Sequence, residues 1–289
     1  MRSIASSAPP RGIAAIVGVG PKLGRSIARK FAHEGYTVAI LARDLGRLSR
    51  FADEIAREEK AQVFAIRIDC SESRSIREAF EGVLSLGFVE VLVYNAYHPI
   101  SWTPTCFTDI RLDRFEKSLA ISSVGAFHCA QQVLPGMVDR RRGTILFTGC
   151  SASLNGIAGL SDLCCAKFAT RALSQCLARE FQPLGIHVAN VIIDGIIGSP
   201  RYSISLLDKI HRIDSRAEVR GTTVASAPQQ RWASSSTASS SVGEQQQSRG
   251  EDTLMDPDVL AQTYWQLHVQ DRSTWTQEID LRPGGPWLV

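Results

Sequence analysis

The chain has 289 residues, of which 44% are hydrophobic, with seven cysteines and a formal net charge of +3 at pH 7. This length suits one α/β domain with additions or at most two small domains, and the nearly balanced charge excludes the strongly basic surface of a nucleic-acid-binding protein. No apolar run reaches the roughly 20 residues that span a membrane, and the cysteines form neither a C-x-x-C pair nor a metal-ligand spacing. We therefore expect free thiols in a reducing, cytoplasmic location, with no membrane partner and no metal site.

The first regular stretch of the chain predicts a strand, a tight turn and a helix. The apolar residues 13–17 run into Gly18 and Gly20, and Gly24 follows four residues later. Apolar residues then recur at helical spacing: Leu23, Ile27 and Phe31. Because glycine lets the backbone turn sharply and approach a phosphate, and the N–H groups of a helix start attract anions, we predict a dinucleotide site here. An ordinary glycine-rich turn is the alternative.

Strands and helices alternate through the first third of the chain. Continuously apolar strands are predicted at residues 36–41, 62–68 and 89–93. Between them, two helical stripes consist of Leu45, Leu48, Ala52 and Ile55, and of Ile76, Ala79, Phe80 and Val83, the second opened by Ser71. Alternating helices and continuously apolar strands are typical of a parallel sheet that is covered on both faces.

The alternation continues to the end of the chain. Further strands are predicted at residues 143–148, 186–193 and 274–281. Further helices are marked by apolar residues over 115–134, ending at or shortly after Pro135-Gly136, over 166–177, and over 257–267. The pattern predicts the α/β class: a single domain with a doubly wound parallel sheet (Rossmann fold) of about seven strands and helices on both faces.

Two segments break this pattern. Residues 222–249 consist mainly of Ser, Gln, Ala and Thr, which cannot bury enough apolar surface to offset the entropy of ordering, and we predict a disordered insertion there. Residues 1–11 are predicted to be a disordered tail, with a short targeting peptide as the alternative. The predicted Rossmann-type domain covers residues 12–289 around the insertion.

Short motifs follow the predicted strands. Residues 17–24 read V-G-V-G-P-K-L-G, residues 69–70 are Asp-Cys, residues 94–97 read Y-N-A-Y, residues 186–199 contain a strand and a Gly195 turn, and residues 283–285 read P-G-G. Together these motifs resemble those of the short-chain dehydrogenase/reductase family over nearly all of residues 13–285. The resemblance implies a cofactor site formed by Gly18, Gly20, Lys22, Leu23, Gly24, Arg43, Asp69, Cys70, Asn95, Ala96, Lys167, Gly195, Ile197 and Ser199.

The catalytic region departs from the family pattern. The family has a Ser at the end of the fifth strand and a Y-x-x-x-K motif in the next helix, whereas residues 163–167 here read L-C-C-A-K. The resemblance implies that Lys167 holds the nicotinamide ribose, and that Leu163 replaces the tyrosine that gives a proton to the substrate. General-acid catalysis is worth about 10²- to 10⁴-fold in rate. The catalytic candidates are Lys167, Cys150, Ser151 and Ser122; the substitute proton donors are Cys150, Cys164, Tyr97 and His98, for which packing is the alternative role.

The residue after the second strand bears on the cofactor. Ala42 stands where the family has an acid for the 2′-hydroxyl of NAD, and Arg43 follows it. A guanidinium suits a 2′-phosphate, so we predict NADP(H) rather than NAD(H), although a solvated charge at a helix start is the alternative.

These observations lead to a functional hypothesis. We expect an NADP(H)-dependent oxidoreductase that acts on a small apolar carbonyl, alcohol or conjugated substrate with an atypical proton donor. The alternatives are a cofactor-binding pseudoenzyme and a non-redox isomerase or cyclase. The apolar stripes at residues 126–134 and 166–177 predict a symmetric homodimer or homotetramer.

Overall fold

The computed structural model describes residues 11–99, 104–198 and 254–284. The predicted insertion at 222–249 lies outside these residues, as does the predicted tail apart from Arg11. The guanidinium of Arg11 lies over the rings of Tyr36 and Trp265, 5.4 and 5.6 Å from their centroids.

Strands and helices alternate in the described chain as the sequence predicts. The strands are β1 (Ile13–Val17), β2 (Thr37–Ala42), β3 (Val63–Arg67), β4 (Val89–Tyr94), β5 (Gly143–Cys150), β6 (Ile186–Ile193), β7 (Ile196–Ile197), β8 (Leu254–Met255) and β9 (Glu278–Leu281). The helices are α1 (Leu23–His33), α2 (Leu45–Glu59), α3 (Ser73–Ser85), α4 (Leu112–Leu119), α5 (Gly125–Arg140), α6 (Ser161–Phe181) and α7 (Pro257–His268). None of these helices has the length and apolar character needed to cross a bilayer.

Seven strands form one parallel sheet in the order β3-β2-β1-β4-β5-β6-β9. From β1 the chain builds outward through β2 and β3, and it then returns to the other side of β1 to add β4, β5, β6 and β9. The doubly wound α/β fold is therefore confirmed, and the strand order reverses between β1 and β4. Strands β7 and β8 pair separately, with Ile196 opposite Leu254 and Ile197 opposite Met255.

Each face of the sheet has its own apolar core. Ala15 and Val17 of β1 face a core covered by α3, α5 and α6, whereas Ala14 and Ile16 face a core covered by α1, α2 and α7. Successive side chains of a strand point to opposite faces, so a strand buried on both faces must be continuously apolar. This requirement explains why β1 is apolar throughout and why β4 and β6 carry few polar side chains, namely Glu90, His187 and Asn190.

The long helix before β5 differs from its prediction. A π-helical turn at Ala120–Val124 separates α4 from α5, and α5 continues to Arg140 with Pro135 inside it. The helix ends at Arg140, shortly after Pro135-Gly136, and Met137, two residues after Pro135, is fully buried in the core against the sheet.

Two other predicted boundaries shift for local reasons. The last strand begins at Glu278 instead of Thr274, because the side chain of Asp271 accepts a hydrogen bond from the backbone N–H of Ser273 (2.8 Å) and starts a 3₁₀ turn. The third helix begins at Ser73, because Ser71 instead donates to the carboxylate of Asp69.

The apolar stripes predicted to join two copies face inward. Their main members are buried in the core of this chain: Ala126, Ala130, Leu134, Ala166 and Leu177. The prediction that these residues form the association surface is therefore wrong. The exposed apolar side chains on the same two helices and the π-helical turn are Val124, Phe127 and Phe168.

A buried polar network closes the sheet at the amino ends of its strands. The hydroxyl of Tyr36 lies 2.6 Å from Nε2 of His268, whose Nδ1 lies 2.9 Å from the hydroxyl of Thr144. The carboxylate of Glu90 accepts hydrogen bonds from the backbone of Gly12 (2.8 Å) and from Arg142 (2.6 Å). Burial lowers the pKa of His268 to about 4; Glu90 opposes this shift, and His187, Arg11 and Arg142 add to it.

Candidate active site

The glycine loop after β1 packs against the ends of β2 and β4. Gly18 has a φ of +87°, and a Cβ on it would lie 2.4 Å from the backbone nitrogen of Ala96, so only glycine fits. The N–H of Gly18 donates to the carbonyl oxygen of Leu41 (2.9 Å), and Nδ2 of Asn95 donates to the carbonyl oxygen of Gly18 (2.9 Å). The loop is thereby fixed where the strand order reverses, which is where ligands bind in open parallel sheets.

The other two glycines of the loop have different roles. A Cβ on Gly24 would lie 2.8 Å from the Cα of Val19, so glycine permits the close packing of α1 on the loop. A Cβ on Gly20 would meet no atom within 4 Å, because Gly20 faces an open cleft. The amino terminus of α1 therefore begins beside accessible backbone N–H groups, as an anion site requires.

A cleft of about 580 Å³ opens above the carboxyl ends of β1, β2, β3 and β4. We call it the first cleft. Its lining contains seven of the residues predicted to form the cofactor site: Gly18, Gly20, Arg43, Asp69, Cys70, Asn95 and Ala96. The structure therefore brings together residues from four separate strand ends.

Two arginines line one end of the first cleft. Arg43 was predicted, and Arg47 was missed, although its spacing of four residues from Arg43 at a helix start was a usable signal. Asp44 lies between them and caps α2, because its carboxylate accepts a hydrogen bond from the N–H of Arg47 (3.0 Å). This end of the cleft therefore carries two guanidinium groups and one carboxylate.

Asp69 and Cys70 line the cleft after β3. Partial burial raises the pKa of Asp69, but hydrogen bonds from the backbone and hydroxyl of Ser71 (2.9 and 2.6 Å) outweigh it and lower the pKa below its ordinary value. Cys70 is nearly buried beside Cys129 and Tyr94. In the described parts of the chain, no cluster of three or more His, Cys, Asp or Glu side chains could hold a metal ion.

A second cleft of about 200 Å³ adjoins the first. The two clefts are neighbours, because Asn95 and Tyr97 line both of them. The second cleft is lined by Lys22, Leu23, Asn95, Tyr97, Thr148, Gly149, Cys150, Leu163, Lys167, Ile193, Gly195, Ile196 and Ile197. It therefore contains Lys167 and Cys150 from the catalytic prediction, and Lys22, Leu23, Gly195 and Ile197 from the cofactor prediction.

Lys167 is the buried cation of the second cleft. Its Nζ donates a hydrogen bond to the carbonyl oxygen of Thr148 (2.9 Å) and lies 5.8 Å from the ring centroid of Tyr97. Burial lowers its pKa below the ordinary lysine value, and Cys150 acts weakly in the opposite direction. The hydroxyl of Thr148 lies 2.7 Å from that of Tyr264, which joins this strand end to α7.

The far wall of the second cleft is formed by the chain after β6. A Cβ on Gly195 would lie 2.8 Å from the sulfur of Met255, so glycine allows β8 to approach. Lys22 reaches across from the glycine loop to the backbone of Ile197, and burial lowers the pKa of Lys22 to about 8. Ser199, the last predicted cofactor residue, lies outside the described residues.

The three remaining catalytic candidates occupy different surroundings. Cys150 lines the second cleft, whereas Ser151 and Ser122 line neither cleft. Ser151 starts a 3₁₀ turn, and its carbonyl oxygen accepts a hydrogen bond from the N–H of Leu154 (2.8 Å). Ser122 is buried in the π-helical turn, and within the described chain its hydroxyl has no hydrogen-bond partner.

Leu163 presents an apolar surface to the second cleft. It packs with Ala152 and Cys164, and it is 7% exposed. Cys164 lines neither cleft, its sulfur accepts a hydrogen bond from the N–H of Ile157 (3.3 Å), and burial raises its pKa. The position four residues before Lys167 therefore offers no transferable proton.

Comparison with known proteins agrees with this architecture. Residues 12–201 match the family model of the short chain dehydrogenases. The chain belongs to this family. Among curated short-chain dehydrogenase relatives, 3-dehydrosphinganine reductase of Danio rerio is 28% identical over 181 residues, covering 60% of this chain and 53% of that protein. This chain thus matches about half the length of that reductase.

For other similar proteins, the match with this chain covers a larger share of the other protein's length. An inactive 2-(S)-hydroxypropyl-CoM dehydrogenase 2 of Xanthobacter autotrophicus is 29% identical over 203 residues, covering 70% of this chain and 83% of that protein. A solved short-chain dehydrogenase from Rhodopseudomonas palustris has a TM-score of 0.70 at 25% identity, covering 95% and 100% of the two chains. L-sorbose reductase from Gluconobacter frateurii, solved with NADPH and L-sorbose, has a TM-score of 0.71 at 18% identity, covering 94% and 95%.

Proposed function

We propose that this chain is an NADP(H)-dependent oxidoreductase that transfers a hydride to or from a small apolar carbonyl, alcohol or conjugated substrate. The observation that carries the proposal is the junction of the two clefts. A glycine-rich, arginine-bearing cleft meets a smaller apolar cleft that holds Lys167, and Asn95 and Tyr97 line both. A dinucleotide that extends across this junction would have its reactive end in the apolar cleft.

The residues present suit NADP(H). The open backbone at Gly20 and the amino terminus of α1 would bind the pyrophosphate. Arg43 and Arg47 would bind the 2′-phosphate, and Ala42 stands at the position where an acid would hold a free 2′-hydroxyl. Lys167 would donate to the ribose hydroxyls of the nicotinamide half. When bound, NADPH supplies a hydride.

The lining of the second cleft supports a small apolar substrate. Its apolar side chains come from five positions: Leu23, Leu163, Ile193, Ile196 and Ile197. In the described lining, the charged groups are the ammoniums of Lys22 and Lys167, with no carboxylate among them. The cleft therefore favours a substrate that is mostly hydrocarbon with one polar oxygen.

One observation favours a second candidate function. Leu163 cannot donate a proton, and the similar Xanthobacter protein is described as inactive. A cofactor-binding pseudoenzyme that acts as a sensor or scaffold is therefore the alternative. A non-redox isomerase or cyclase would also use an apolar pocket at Leu163.

The deciding experiment measures binding and turnover separately. Calorimetric titration of the full chain with NADPH and NADH tests the cofactor, and loss of reduced-nicotinamide absorbance with cyclohexanone and a series of straight-chain methyl ketones tests reduction. We expect tighter binding of NADPH than of NADH and measurable ketone reduction. NADPH binding without any turnover would favour the pseudoenzyme, and equal binding of the two cofactors would contradict the assignment of NADP(H).

We further propose that the chain acts in the cytoplasm as a homodimer or homotetramer. The exposed side chains of Val124, Phe127 and Phe168 form the apolar surface of neighbouring elements, which are joined by a hydrogen bond from the hydroxyl of Ser123 to the carbonyl oxygen of Ala166 (2.9 Å). Exposed aromatic and aliphatic side chains on adjoining helices are typical of a protein interface.

A further inference from the structure

The phenol ring of Tyr97 lies at the junction of the two clefts. It is 52% exposed, and it borders both the glycine-rich cleft and the apolar cleft. The Nζ of Lys167 lies 5.8 Å from the centre of its ring. Bringing the phenol hydroxyl within hydrogen-bond distance of the ammonium requires a rotation of this half-exposed side chain.

Few of the described side chains that line the second cleft can give up a proton. Besides the two lysines they are Tyr97, Cys150 and Thr148, and the hydroxyl of Thr148 lies 2.7 Å from that of Tyr264. His98 and Cys164, the other predicted substitutes, line neither cleft. A neighbouring ammonium lowers the pKa of a phenol, because the cation stabilises the phenolate. Tyr97 and Lys167 therefore provide a hydroxyl beside an ammonium, which Leu163 and Lys167 cannot provide.

We propose that the hydroxyl of Tyr97 is the proton donor that replaces the missing hydroxyl at position 163. The proposal rests on the proposed reductase function. As the carbonyl carbon of the substrate accepts a hydride from the reduced nicotinamide, the O–H bond of Tyr97 breaks and its proton passes to the carbonyl oxygen, which forms the alcohol. The phenolate is stabilised by the ammonium of Lys167 and regains a proton from water. Oxidation of an alcohol runs through the same steps in reverse.

Other titratable and charged groups line the two clefts around this pair. Lys22 in the glycine loop and Cys150 at the end of β5 line the second cleft. Arg43, Asp44, Arg47 and Asp69 line the first cleft on the other side of Tyr97. The Nζ of Lys167 lies 5.8 Å from the centre of the Tyr97 ring, so removal of this ammonium is expected to change the ionisation of Tyr97.

A double-mutant cycle tests the assignment. Tyr97→Phe keeps the ring and removes the hydroxyl, so we expect kcat for ketone reduction to fall about 10²-fold or more while the NADPH dissociation constant stays the same. Leu163→Tyr supplies a second phenol beside Lys167. In that background Tyr97→Phe should change kcat only a few fold, because the new phenol donates the proton. A structural role for Tyr97 would instead lower kcat equally in both backgrounds, which would overturn the proposal.

A spectroscopic titration gives an independent readout. Burial raises the pKa of Tyr36, Tyr94 and Tyr264 above the ordinary tyrosine value, and Tyr202 is common to the proteins compared. The difference in tyrosinate absorbance between the unmodified chain and Tyr97→Phe therefore reports the ionisation of Tyr97. We expect Lys167→Met to move this titration to higher pH. An unchanged titration would overturn the Tyr97–Lys167 pair.

The outcomes separate this proposal from the function on which it rests. Ketone reduction that is retained at the unmodified rate in Tyr97→Phe would remove Tyr97 from the mechanism and leave the reductase function standing. Absence of reduction with every ketone, in both the unmodified chain and Leu163→Tyr, would overturn the reductase function and the proton-transfer step together. Far-UV circular dichroism of each variant verifies that the fold is kept.

Discussion

Lys22, in the glycine loop, donates a hydrogen bond from its Nζ to the backbone carbonyl oxygen of Ile197 in β7, 2.6 Å away. The family pattern has glycine at this position of the loop. The lysine therefore joins the loop that would hold a pyrophosphate to the strand that lines the second cleft. Its ammonium is partly buried, and burial lowers its pKa to about 8.

The charge of Lys22 should make NADPH binding depend on pH. Protonated Lys22 attracts the pyrophosphate, so the NADPH dissociation constant should rise as the pH passes upward through about 8, where the free protein loses this charge. In Lys22→Met, binding at neutral pH should be weaker and the rise across this window should be absent. Calorimetry at several pH values measures both effects, with Lys30→Met on α1 as the control. A parallel rise in Lys22→Met would contradict the prediction.

Arg43→Ala should weaken NADPH binding by about 1.5–3 kcal/mol, the range for a hydrogen bond to a charged group. NADH binding should barely change, because NADH has no 2′-phosphate. Arg50→Ala is the matched control, since Arg50 is exposed on α2, the helix that follows Arg43, and does not line the first cleft. Calorimetric titration of both variants with both cofactors gives the comparison. Equal losses for NADPH and NADH would show that Arg43 does not read the phosphate.

Lys167→Met should lower both cofactor affinity and any turnover. The buried ammonium is placed to hold the ribose, and methionine fills a similar volume without a donor. Lys117→Met on α4 should change neither quantity, since Lys117 lines neither cleft. An unchanged NADPH dissociation constant in Lys167→Met would require the alignment of Cys150 through Lys167 with the family site to be abandoned.

His268 should destabilise the fold in mild acid. Because burial lowers its pKa to about 4 from the ordinary 6.5, the unfolded chain binds more protons in that window, and the free energy of unfolding falls as the pH falls. The fall between about pH 7 and about pH 5 should be roughly 2 kcal/mol from this group. Urea denaturation should show a smaller pH dependence in His268→Gln and the full dependence in His33→Gln, since His33 is exposed.

The exposed aromatic residues of α5 and α6 should control association. Phe127→Glu and Phe168→Glu place a charge on the proposed interface, and each should shift the chain toward the 31.6 kDa monomer in sedimentation velocity. Val259→Glu, on the exposed face of α7, should leave the oligomeric state unchanged. If the unmodified chain sediments as a monomer at micromolar concentration, the proposed association is wrong.

The parts of the fold that depend on residue pattern could be predicted from the sequence. Buried strands such as β1 must be apolar throughout, and Gly18 must adopt a positive φ beside Ala96, so both leave a readable signal. The π-helical turn at Ala120–Val124 has no such signal, because its residues are equally compatible with an α-helix. Ala126 and Ala166 are small and apolar, and whether they face the core or a partner depends on helix orientation.

In the candidate site, too, some residues can be located from the sequence and others only from the three-dimensional structure. The glycine loop and Lys167 lie within motifs of fixed spacing, so the sequence locates them. Tyr97 differs, because its place between the clefts depends on where the chain turns after β4 relative to α6. Its contact with Lys167 joins residues that are far apart in the sequence and appears only in three dimensions.

The pairing of β7 with β8 brings together the end of the described segment 104–198 and the start of the described segment 254–284. Beyond that point the C-terminal piece has its own attachments: β9 pairs with β6, Trp265 packs on Phe31 with ring centres 5.6 Å apart, and Arg29 binds Asp258 (2.5 Å). These contacts do not require a continuous backbone. A single proteolytic cut between residues 198 and 254 would therefore leave two polypeptides that migrate together on a native gel, separate in denaturant and reassemble in a concentration-dependent manner.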